Sequence, residues 1–116
     1  MRKSELDGFT VFRPPLKNEL HISVRRRTIG LSIRAYEVIG SDWVNIFFDE
    51  RKNRVMIKRA EASYPNTLKI CNNGKSGRVI NSLSATDKLR RMFGKDARVA
   101  GHEAGDGILI FEEVRR

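Results

Sequence analysis

"NIFFDERKNRVMIKR", residues 45–59, reads as a β-hairpin. Apolar residues run up to Phe48, the cluster Asp49-Glu50-Arg51-Lys52-Asn53 interrupts them, and Val55, Met56 and Ile57 resume the run. An isolated two-stranded hairpin is marginal in water and needs a cover for its apolar face. What supplies that cover decides the fold.

A second stretch, "ARVAGHEAGDGILIFEE" (97–113), is also strand, turn and strand, with Gly105-Asp106-Gly107 as the turn. Glycine accepts the positive φ that tight hairpin turns need. Laid against "WVNIFFDERKNRVMIKR" (43–59), it matches without a gap at a shift of 54 residues, Trp43 on Ala97 and Val55-Met56-Ile57 on Leu109-Ile110-Phe111. Gly40 and Gly94 pair at the same shift. Each follows a short amphipathic segment, as a helix C-terminal glycine does. In "SIRAYEVI", Ile33, Tyr36 and Ile39 can share a helical face; in "SATDKLRRMF", Leu89, Met92 and Phe93 do so. Ser32 and Ser84 are the expected N-caps, Ser84 with Asp87 as a capping box, and the second helix is expected to be two residues longer. Upstream, "HISV" and "TIGL" flank Arg25-Arg26-Arg27, and "LKI" and "RVI" flank "NNGKSG".

Each half therefore reads β-β-α-β-β: residues 20–60 first and 66–116 second, joined by a linker at 61–65 and preceded by an arm at 1–19 that contains Pro14-Pro15. About forty residues cannot bury both faces of their own hairpins. Two copies can, so the expectation is a mainly β protein with two short helices, whose repeats close one shared barrel.

The chain has 116 residues and a net charge of +9, from 23 Lys+Arg against 14 Asp+Glu. Such an excess favours polyanionic or acidic partners. It is spread along the sequence: residues 20–59 carry +5 and residues 66–116 carry +4. Cys71 is the single cysteine, so no intramolecular disulfide forms. Nothing reads as a signal peptide or membrane span, which points to a cytoplasmic protein.

No catalytic set is visible, and no cofactor or metal is expected. His21 and His102 fall in strands of different halves, and zinc or EF-hand spacing is missing. Gly105-Asp106-Gly107 joins two strands and opens no helix, so it is no phosphate loop. Trp43, Phe47, Phe48, Phe93 and Phe111 occupy apolar positions and are expected in the core. The basic residues carry more information. Arg25, Arg26 and Arg27 sit in a tight strand connection and Lys75 and Arg78 in its counterpart; Arg34 lies in the first helix, and Lys88, Arg90 and Arg91 in the second. Clustered guanidinium groups suit phosphate oxygens and guanine edges.

The order hairpin, short helix, glycine, hairpin resembles the AbrB-like swapped-hairpin family of AbrB regulators, MazE antitoxins and MraZ. The resemblance rests on "GRVI" (77–80), "LRR" (89–91), "FGKDARV" (93–99) and "GDGILIFEE" (105–113), and on "RTIGLS" (27–32), "VIGSDWV" (38–44) and "NRVMIKR" (53–59). Leu31-Ser32 and Leu83-Ser84 stand where that family has a helix-starting proline, and the spacing from Arg78 to "LRR" is longer by about one helical turn. A tandem repeat in one chain is similar to MraZ. The resemblance implies double-stranded DNA binding by the hairpin connections and helices, with Arg78, Arg90 and Arg91 in contact, in a small transcriptional regulator; the sequence leaves open whether two barrels pair as a homodimer. The alternative is a protein-binding module, for example a phage-encoded inhibitor of a host nucleic-acid enzyme. The size and charge look like those of proteins encoded by phages and mobile elements.

Overall fold

The computed structural model describes residues 19–61, 66–72 and 77–113. The arm before Glu19, linker residues 62–65 and Lys75 lie outside the described residues. In chain order the elements are β1 (His21–Val24), β2 (Thr28–Leu31), α1 (Ile33–Ile39), β3 (Trp43–Asp49), β4 (Arg54–Arg59), β5 (Leu68–Asn72), β6 (Arg78–Asn81), α2 (Leu83–Phe93), β7 (Arg98–Gly105) and β8 (Ile108–Glu112). The eight strands close an antiparallel barrel in the order β1-β2-β6-β5-β3-β4-β8-β7. The fold is mainly β with two helices, and neither helix is long and apolar enough to cross a membrane.

The hairpin at 43–59 finds its cover in this ring. β3 pairs with β5 and β4 with β8, so strands from beyond residue 66 flank it on both sides. The same holds at the other seams, where β2 meets β6 and β1 meets β7. Buried residues alternate with more exposed ones in β1 and β8, as a filled barrel requires, whereas β2 and β6 bury consecutive residues, Ile29 to Leu31 and Val79-Ile80. Ile22, Val24, Ile29, Val44, Val55, Ile57, Ile80, Leu109 and Phe111 are each at most 1 % exposed and fill the interior. At about 25 cal/mol per Å² of apolar surface removed from water, each such side chain is worth roughly 1.5–3 kcal/mol. A one-residue slip of any strand would turn its apolar set out to water, so the register is strongly fixed.

The caps that end the helices are local. Ser32 Oγ accepts from the Ala35 amide at 3.3 Å and also from the His21 amide at 3.2 Å, which ties α1 to β1. Gly40 closes α1 in the left-handed region at φ 69°. At α2 the cap is Ser82 and not Ser84: Ser82 Oγ accepts from Ala85 N at 3.3 Å, and Thr86 Oγ1 donates to the Ser82 carbonyl at 2.7 Å. Because β6 ends at Asn81, Ser82 is the first residue that can reach the orphan amides. α2 has eleven residues against seven in α1, four more and not two. Four residues are close to one helical turn, so the chain leaves both helices with similar orientation; two extra residues would reverse it.

Two apolar positions depart from the expected core. Ile33 is 68 % exposed, because as the first helical residue it points off the barrel while Ala35 and Ile39 face it. Phe47 is 47 % exposed, on the outward parity of β3. Phe48 and Phe93 are half-buried against the core, Trp43 is half-buried, and only Phe111 among these rings is fully enclosed.

Candidate nucleic-acid interface

The strand directions decide which connections meet. β1 enters the connection 25–27 at one end of the barrel. β6 runs antiparallel to β2 with Asn81 opposite Thr28, so α2 starts at that same end. The β3–β4 turn, residues 50–53, reaches it too: Lys88 Nζ in α2 lies 3.1 Å from Glu50 Oε1 and 4.8 Å from the Phe48 ring centroid. The turn 94–97 is joined to the connection by the Val24 amide, which donates to the Ala97 carbonyl at 2.8 Å. The opposite end carries α1 and the β7–β8 turn, linked where Arg34 meets Glu103 at 3.9 Å.

This arrangement sorts the charge. At the first end, over the described residues between and after the strands, the connection 25–27 carries +3, the turn 50–53 +1, α2 +2, the turn 94–97 zero and Glu113 after β8 −1, a total of +5. At the opposite end, counted in the same way, α1 is neutral, residues 40–42 carry −1, Glu61 after β4 −1 and the turn 106–107 −1, a total of −3 that stays negative with Arg78 at the start of β6 included. The carboxylate of that turn is already engaged, since Arg59 Nη2 lies 2.7 Å from Asp106 Oδ2. One end of the barrel is thus strongly basic and the other is not, although the same kinds of element build both.

Of the residues expected to bind nucleic acid, the fold gathers Arg25, Arg26, Arg27, Lys88, Arg90 and Arg91 at the basic end. Arg25 lies flat over Gly30, where a Cβ would sit 2.9 Å from its Nη2, so the missing side chain makes room for the guanidinium. Arg26 and Arg27 are exposed, as is Arg91, and none of the three has an ion-pair partner among the described residues. Lys88 is held by Glu50 and Arg90 by Asp87 within α2. Arg34 and Arg78 stand apart, at the opposite end. Arg34 pairs with Glu37 at 3.5 Å, and Arg78 stacks on the Tyr36 ring with its Cζ 4.5 Å from the centroid. Tyr36 in turn donates to Asp42 Oδ1 at 2.6 Å, and that hydrogen bond, with some burial, raises the phenol above its ordinary pKa.

Arg51, Lys52 and Lys95 complete the basic end, and sequence reasoning misses them. Each sits in a turn whose charge looks ordinary by itself. Between α2 and the β3–β4 turn, Glu50, Asn53, Lys88, Arg91 and Met92 line an open polar cleft of about 420 Å³. Free guanidinium groups, ammonium groups and a cleft without acidic excess can hold phosphate oxygens by charge-assisted hydrogen bonds. Metal chemistry has no comparable site: among the described residues no three His, Cys, Asp or Glu side chains come together. No protein-family model, curated protein or solved structure matches the chain.

Proposed function

We propose that the chain is a double-stranded DNA-binding protein, a small transcriptional regulator that docks through the basic end of its barrel. The observation that carries this reading is the +5 total at one end against −3 at the other. A polyanion releases counterions on meeting such a surface, and that term supplies most of the affinity of proteins for duplex DNA. Exposed arginines without carboxylate partners pay little to exchange water for phosphate. The same reading treats the barrel as two interleaved AbrB-like swapped-hairpin repeats. It is supported by registers that map onto themselves. Under a shift of 54 residues the pair Arg54↔Glu112 becomes Ile108↔Lys58, itself a pair. Under a shift of 50, matching Ser32 to Ser82, Thr28↔Asn81 becomes Arg78↔Leu31, again a pair.

The test is duplex binding across a salt series. Replacing Arg26, Arg27 and Arg91 together by Gln should weaken binding at least about tenfold and flatten the salt slope by about one for each phosphate no longer neutralised. Arg34→Gln and Arg78→Gln, at the opposite end, should change neither. Equal losses from both ends would replace end-on docking by a two-ended face. Absence of duplex binding at low salt would overturn the DNA reading, and a stoichiometric protein captured after nuclease treatment would put a protein-binding module in its place.

A further inference from the structure

The outer wall of the barrel carries an apolar row that the basic end does not use. Phe47 pairs laterally with Met56, Met56 with Ile110, and Ile110 with His102, all on the outward parity of β3, β4, β8 and β7. Phe47 is 47 % exposed and Met56 and Ile110 are half-buried. Around them a cavity of about 140 Å³ opens between Phe47, Met56, Ile110 and the aliphatic part of the Asp49–Arg54 ion pair. Such a hollow accepts an apolar side chain.

The closed ring limits what can occupy it. A barrel has no free strand edge, so an extended segment cannot simply add as another strand. It must dock by its side chains. A second copy fits poorly, because three partly exposed side chains supply only a fraction of the roughly 800 Å² per partner that a stable interface buries.

We propose that the chain's own N-terminal arm, residues 1–18, lies across this row and sets Phe12 or Phe9 into the hollow. Where the arm leaves the barrel argues for it. His21 pairs with Ala100, and the Gly101 amide donates to the Leu20 carbonyl at 2.8 Å. Continuing that register sets Glu19 opposite His102, at the level of the row itself. From β1 the path crosses β7 and β8 to β4, three strand spacings or about 14 Å. The seven residues from Phe12 to Glu19 span up to about 23 Å when extended, enough to reach. The arm also has the chemistry, since "GFTVFRPPL" (8–16) carries the apolar side chains Phe9, Val11, Phe12 and Leu16 and contains Pro14-Pro15, which favour an extended chain. This inference stands independently of DNA binding.

A spin label placed in the full chain by Thr10→Cys, in a Cys71→Ser background, tests it through the methyl signals of Met56 and Ile110. Both signals should lose intensity when label and isotope are in the same molecule, and Phe12→Glu should restore them. Loss only when labelled and isotope-enriched molecules are mixed would assign the row to a second copy and overturn the proposal. No loss in either sample would overturn it as well. Because the label chemistry could disturb β5, tryptic cleavage after Lys17 in the chain with its native cysteine gives an independent measure: Phe47→Glu should accelerate it, and an unchanged rate contradicts docking.

Discussion

Arg78 shows how much a single side chain's role depends on its neighbours. The sequence sets it just after Gly77 at a strand start, and the structure lays its guanidinium on the Tyr36 ring at 4.5 Å. A cation over an aromatic face at a partly exposed site is worth about 0.5–1 kcal/mol. Arg78→Ala should therefore lower unfolding free energy by about that much while leaving duplex affinity unchanged, as chemical denaturation and a binding titration would show. A loss of DNA affinity with no loss of stability would return Arg78 to the interface. The contrast with Arg26 and Arg27 is instructive. All are arginines beside strand ends, and only the presence of Tyr36, forty-two positions away in sequence, separates the braced residue from the free ones.

At the scale of the element, the hairpins are legible because their signals are short-range. Alternating apolar residues and a turn able to take positive φ suffice, and Asn53 at φ 52° and Gly107 at φ 70° occupy matching places in the two turns. The start of α2 is less legible. Ser82 and Ser84 are equally good caps by residue type, and the choice falls to Ser82 because the last ladder pair of β6, Asn81 with Thr28, fixes where the strand stops. Ser82→Ala should cost about 1 kcal/mol, the usual worth of an N-cap, whereas Ser84→Ala on the exposed first turn should be nearly neutral. Thermal unfolding of the two variants distinguishes them, and the reverse order would move the cap back to Ser84. Ile33 departs from its expected place for a related reason: helical spacing finds a face, but only the packing of Ala35 and Ile39 against the barrel tells which face is inside.

For the whole molecule, the four seams between hairpins each join a strand from before residue 60 to one from after residue 66. The fragment 66–116 on its own would keep two hairpins and lose every seam. It should be unfolded or self-associated, by circular dichroism and sedimentation, and a stable folded monomer would refute the interleaved barrel. The sequence by itself determined the strands, the turns, both helices and their closing glycines, because each depends on residues within a few positions of one another. It also determined the excess of positive charge, which is a sum over residues. Only the tertiary structure decided where that charge acts. The halves carry +5 and +4 in sequence, yet interleaving brings the first half's Arg25–Arg27 connection to the same end as the second half's longer helix. Electrostatic potential falls with distance in space and takes no account of distance along the chain, so an evenly charged sequence folds into a barrel with one basic end.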